Sequence, residues 1–179
     1  MAPLLILFFP FFLFSCSKSG SGGSSNSDST YIKCDMDGVA KSFNNAVKAD
    51  TLNVGGINSI EISGFTNNVN KETLHLDISN NYAEPGLPII AGSYPDTSSS
   101  FNLSSYYLLV VSQDSTVQYE AGTSLASLGD PIVNHLNIVV TAIVRGYISG
   151  TFSGDYFLSG DPKAIKKTIA NGTFYVPLQ

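Results

Sequence analysis

The chain has 179 residues, of which 43% are hydrophobic and 13% charged, with 9 basic against 14 acidic side chains and a net charge of −5. That length suits a single domain that buries roughly 70% of its unfolded surface and needs no metal or disulfide to fold. The chain has one arginine, Arg145, and one adjacent basic pair, Lys166-Lys167. It therefore lacks the clustered cations that a nucleic-acid partner requires.

The chain opens on MAPLLILFFPFFLFSC. The apolar run from Leu4 to Phe14 is too short for a membrane-spanning helix, which needs about 20 such residues. It has the length of a signal-peptide core. Leu13-Phe14-Ser15-Cys16 has the pattern of a bacterial lipobox, with cleavage before Cys16 and acylation of the Cys16 thiol. Phe14 is bulkier than usual there, and Met1-Ala2-Pro3 carries no Lys or Arg. Residues 1–15 are thus expected to be a lipoprotein signal peptide, and residues 16–30 the lipidated cysteine and its linker. Ser17 to Thr30, SKSGSGGSSNSDST, cannot bury enough apolar surface to order itself. It reads as a flexible tether reaching roughly 20 Å. The partner this implies is a membrane, held through a lipid anchor.

Residues 31–179 read as one all-β domain. In Tyr31 to Met36, alternation puts Ile32, Cys34 and Met36 on one face and Lys33 and Asp35 on the other. Cys34, left unpaired if Cys16 is acylated, is expected to be a small buried hydrophobe. Asp37-Gly38 suits a two-residue hairpin turn that brings Val39 opposite Met36 and Phe43 opposite Ile32. Ala46 to Val54 is a weaker strand ended by Gly55-Gly56. Ser59 to Phe65 points Ile60 and Ile62 inward, and Asn67-Asn68 begins a turn. Glu72 to Ser79 alternates most cleanly, with Leu74, Leu76 and Ile78 on one side and His75 and Asp77 on the other. A loop from Asn80 to Pro88 leads to a short strand within Ile89 to Tyr94, and Ser98 to Ser100 is loop.

Tyr106 to Val111, YYLLVV, and His135 to Val144 lack alternation, which suggests strands buried on both faces. Between them, Gln113 to Ser115 turns the chain, Thr116 to Glu120 returns it, and Thr123 to Gly129 suits one helical turn. Tyr147 to Leu158 follows, with Gly150 and Gly154 as bulges or close approaches. After a turn at Ser159 to Pro162, Ile165–Ala170 and Thr173–Leu178 are expected to form a last hairpin around Asn171-Gly172, with Pro177 at a strand end. About ten strands in this spacing predict an antiparallel β-sandwich or barrel.

The lipobox, the Ser/Gly tether, Asp37-Gly38, Ala91-Gly92-Ser93-Tyr94, and the pair Gly150-Thr151-Phe152 and Asn171-Gly172-Thr173-Phe174 together resemble small Bacteroidota lipoproteins of unknown function. The resemblance implies an all-β envelope domain and carries no catalytic residues. In those bacteria, acidic residues just after the lipidated cysteine favour surface display. Here Ser17-Lys18-Ser19 follows it, so a periplasm-facing anchor is expected.

Few residues offer chemistry. Asp35-Met36-Asp37-Gly38 looks like the nucleophile motif of haloacid dehalogenase-type phosphatases, but that chemistry needs a parallel α/β frame. A hairpin turn accounts for it better. His75 and His135 are a conceivable zinc pair, although a catalytic zinc wants three protein ligands. Glu61 and Asp77 could converge as a carboxylate pair. Tyr82, Tyr94, Tyr106 and Tyr119 are strand-end or loop rings suited to stacking. Asp28-Ser29-Thr30, Asp50-Thr51-Leu52 and Asp114-Ser115-Thr116 resemble Bacteroidota O-glycosylation sites, which need exposed hydroxyls. No catalytic, metal or cofactor residue is assigned, and Cys16 is the one site residue, for lipidation. The expected function is a non-catalytic binding or interaction module for a glycan, a small apolar ligand or an envelope protein. A structural envelope lipoprotein and an undetected hydrolase are the alternatives.

Overall fold

A computed structural model describes residues 29–66, 72–95, 100–112, 115–123 and 136–179. Cys16 and the rest of the chain before Ser29 lie outside these residues. So do Asn67, Asn68, the loop residues Ser98 and Ser99, Gln113, Asp114, His135, and all but Thr123 of the expected helical turn.

Among the described residues the protein is all β, with eleven strands and no helix. They are β1 (Tyr31–Met36), β2 (Val39–Ser42), β3 (Asn45–Val54), β4 (Ile57–Phe65), β5 (Glu72–Asn80), β6 (Gly92–Tyr94), β7 (Phe101–Ser112), β8 (Ser115–Gly122), β9 (Leu136–Val144), β10 (Tyr147–Leu158) and β11 (Asp161–Pro177). All belong to one sheet, ordered β2-β1-β11-β10-β8-β7-β5-β4-β3, with β9 between β10 and β6. Every strand pair is antiparallel. Strand β10 changes partner along its length, pairing β9 from Tyr147 to Gly154 and β8 at Phe157 and Leu158.

The sheet curls on itself instead of stacking as two layers. The tail beyond β11 meets the far strand through a parallel bridge between Leu178 and Ala49, and Gln179 N–H donates to Ala49 O at 2.8 Å. The inward side chains fill the enclosed space, among them Ile32, Phe43, Ile62, Leu74, Leu76, Ile78, Tyr156, Ile169 and Phe174. Cys34 and Met36 are buried with them, while Lys33 is exposed. Burial pushes the Cys34 thiol up to about 12, with Asp35 adding to the effect.

Local turn chemistry follows the residues. Asp37 (φ 50°) and Gly38 (φ 77°) both take positive φ, as a two-residue hairpin turn with right-handed strand twist requires. Gly55-Gly56 does the same between β3 and β4. Val39 does sit opposite Met36, but it is 60% exposed, because β2 is an edge strand that leaves the core at this turn.

Three expectations are corrected. The YYLLVV stretch is not buried on both faces: β7 begins at Phe101 and alternates, with Leu103, Ser105 and Tyr107 inside and Val111 61% exposed. Strand β9 behaves alike, burying Leu136, Ile138 and Val140 while Asn137 and Thr141 face out. An antiparallel sheet curled around one core covers only one face. Asn171-Gly172 is not a hairpin turn, and β11 runs straight through it. Only Asn171 takes positive φ (52°), and the register slips there against both β1 and β10, which makes it a β-bulge.

The two Gly-Thr-Phe triplets meet across β10 and β11. Gly150 lies opposite Phe174, Thr151 opposite Thr173, and Phe152 opposite Gly172. Each glycine makes room for the other triplet's ring. A Cβ on Gly150 would come within 2.5 Å of Phe174 Cζ, and one on Gly172 within 2.7 Å of Phe152 Cδ1.

Candidate functional site

Among the described residues, the segment between β5 and β6 builds a hollow. Buried Asn80 ends β5, accepts from the Asn58 N–H and donates through Nδ2 to Glu84 O at 2.7 Å. Asn58 Nδ2 holds Leu87 O at 2.9 Å, and Gly86 N–H donates to Gly56 O at 2.7 Å. These bonds fold the loop back against the β3–β4 turn. The Tyr94 hydroxyl then donates to Ile90 O (2.7 Å) and accepts from Ile90 N–H (3.0 Å), closing the chain into a second bend. The Tyr94 ring meets Phe101 edge-on at 4.9 Å.

The result is an open cavity of about 610 Å³, walled by Leu87, Pro88, Ile90, Ala91, Tyr94 and Phe101, with Glu84, Ser93 and Ser100 also at its surface. Both the size and the lining fall within the range of small-ligand pockets. Ile90, 61% exposed, stands at the opening.

The other tyrosines singled out from the sequence do not converge on it. Tyr82 projects from the loop, Tyr106 stacks on His75, and Tyr119 packs beside Tyr107 at the core rim. A group that sequence reasoning missed lies on the outer face. Tyr147 and Tyr175 stack within 2° of parallel at 5.0 Å, and Tyr31 follows at 6.4 Å. Drawing the two Gly-Thr-Phe triplets in antiparallel register would have put Tyr147 diagonal to Tyr175; Tyr31 joins them through the separate β1–β11 pairing.

The carboxylate pair does come together. Across the outer face, Asp50, Glu61, Asp77 and Ser104 lie in one row over β3, β4, β5 and β7. Directly opposed like charges repel. Burial, and then Glu61, raise Asp77 to about 6, against hydrogen bonds from Ser79 and Ser104. His75 faces outward, as the alternation predicts, and is half-buried there. Its side chain is 15% accessible, stacked on Tyr106 at 4.6 Å, with Nε2 3.7 Å from Glu61 and a buried Nδ1 that has no hydrogen-bond partner. Burial lowers its pKa, opposed by Glu61. Neither Glu61 nor Asp77 lines that open cavity, and the pair sits on the outer face of the sheet. Among the described residues, no group of three or more His, Cys, Asp or Glu is placed to hold a metal; His135 lies outside them.

The phosphatase-like motif is occupied by structural bonds. Asp35 accepts from Asn171 Nδ2 at 2.8 Å. Asp37 accepts from Lys167 Nζ at 2.7 Å and from Thr168 N–H at 2.9 Å, and these bonds hold its carboxyl below the usual range. Of the residues resembling glycosylation sites, Thr51 is exposed but its hydroxyl donates to Gln179 O at 2.9 Å. Ser115 and Thr116 are exposed, while Asp28 and Asp114 lie outside the described residues. Comparison with protein-family models, with curated proteins and with solved structures gives no match.

Proposed function

We propose that this protein is a lipid-anchored cell-envelope module that binds a small apolar ligand without catalysing its conversion. The observation that carries the reading is the pocket of about 610 Å³, with apolar walls and a Tyr94–Phe101 floor. Such walls favour a ligand by burying its surface, at roughly 25 cal/mol for each Å² removed from water. The lipobox at Leu13 to Cys16 and the Ser/Gly tether support an anchor at a membrane, facing the periplasm.

Two experiments test it. The chain from residue 31 to 179 should enhance the fluorescence of N-phenyl-1-naphthylamine, an uncharged apolar probe, in a saturable way. Ile90→Asp should abolish saturation while leaving the thermal transition in place, because Ile90 is already exposed. Enhancement that ignores Ile90→Asp would refute the pocket. Separately, Cys16→Ala should move the full chain out of the membrane fraction, and sedimentation that persists after a salt wash would refute the anchor.

A further inference from the structure

The tether joins the domain at Tyr31, and Tyr31 is also the first ring of the outer row Tyr31, Tyr175, Tyr147. Beside that row lies a groove of about 310 Å³ lined by Ala142, Val144, Arg145, Tyr147, Ser149 and Tyr175, with no carboxylate in it. Val144 is 56% exposed. Two cations flank the rings. Lys33 Nζ stands 4.8 Å from the centre of the Tyr31 ring, and Arg145, the chain's only arginine, is exposed at the β9–β10 turn. The next outward residue on β1 beyond Lys33 is Asp35, whose carboxylate is held by Asn171.

We propose that this tyrosine row, with Lys33 and Arg145, docks the domain on the anionic headgroup layer of its own membrane. The inference rests on the lipid-anchor reading above. Three observations combine in it. Tyrosine is suited to a boundary that is apolar below and wet above. An acylated Cys16 would lie fifteen residues before Tyr31 and so hold this end of the domain within one short chain length of the headgroups. The protein as a whole is acidic, at −5, so an anionic surface repels most orientations. A face that carries Lys33 and Arg145, with no carboxylate in its groove, suits such a surface. Docking turns a loosely held domain into an oriented one.

The chain has no tryptophan, so single-tryptophan probes report position cleanly. The full, acylated chain carrying Tyr147→Trp is reconstituted into phosphatidylethanolamine/phosphatidylglycerol vesicles that contain a spin-labelled headgroup quencher. A second protein carries Val39→Trp, at the β1–β2 turn, as the undocked reference. The Tyr147→Trp probe should be quenched well above the reference. Lys33→Gln with Arg145→Gln should lower the ratio of docked to undocked protein about 30-fold while the protein still sediments with the vesicles. Equal quenching of the two probes in sedimenting protein overturns the docking proposal and leaves the anchor intact. Protein that stays in the supernatant overturns the anchor and the docking together. A Tyr147→Trp signal that responds to a soluble anionic polysaccharide and not to the quencher assigns the face to a glycan.

Discussion

Removing the Ser105 hydroxyl should destabilise the fold more than removing the Tyr156 hydroxyl, although the two bond to each other. Ser105 Oγ donates to His75 O at 2.6 Å and lies 2.5 Å from Tyr156 Oη. A serine has one hydroxyl proton. That proton is committed to His75 O, so Tyr156 is the donor to Ser105. Both side chains are buried, Tyr156 completely, and burial pushes its phenol well above the usual range. Tyr156→Phe deletes a donor and leaves Ser105 bonded to His75, at a cost of about 1 kcal/mol. Ser105→Ala strands the Tyr156 phenol in the core, worth roughly 1–3 kcal/mol, and loses the bond to His75 O, worth about 1 kcal/mol more. Adding Tyr156→Phe to Ser105→Ala removes the stranded donor, so the double variant should be no worse than Ser105→Ala alone. Urea unfolding of residues 31–179, followed by circular dichroism, measures all three if the slope with denaturant stays constant. Equal single costs, or costs that simply add, would refute the assigned direction of the bonds.

Gly150→Ala and Gly172→Ala should each lower stability by at least about 1–3 kcal/mol, because the added methyl meets a backbone carbonyl (Val139 O or Phe152 O) and, behind it, a buried ring. An unchanged melting temperature in either alanine variant would refute the close approach. Cys34, with its thiol pushed up to about 12, should react slowly with maleimide at pH 7.5 in the native protein and quickly in urea; rapid native labelling counts against burial. Asp77 has a folded pKa of about 6 against an ordinary 3.8, so between these values the native state holds more protons than the unfolded one. Its contribution to stability is therefore present at low pH and lost as pH rises from about 4 to 6. Asp77→Asn should flatten that slope and match or exceed the parent protein at pH 7.5, and a variant less stable there would show that the ionised carboxylate is favourable.

The sheet class was legible because alternation and turn chemistry are local. Leu74, Leu76 and Ile78 could face one way only, and Asp37-Gly38 had few other uses. Asn171-Gly172 was not legible, because the same tolerance of positive φ serves a turn or a bulge. The choice depends on partners, β1 and β10, that are distant in sequence. The apolar runs in β7 and β9 misled for a related reason: Val111 and Val144 carry strand propensity to the exposed strand ends, where burial no longer decides identity. The pocket was half legible. Tyr94 was singled out, yet the walls depend on Asn58 and Asn80 folding the loop back, and no local pattern announces those bonds. The outer tyrosine row needed a register between strands, which a reading of one strand at a time does not supply.

The pairing of β1 with β11 has a consequence for how the domain comes into being. The bond between Asp35 and Asn171 spans 136 residues, and among the described residues β1 has β2 as its only other partner strand. A growing or threading chain that begins at Tyr31 therefore carries an unsatisfied edge until β11 has emerged. Assembly by such distant contacts belongs to the slow end of single-domain folding. During that delay the exposed edges invite pairing between chains. The edge of β1 that faces β11 is completed only when that last strand is in place.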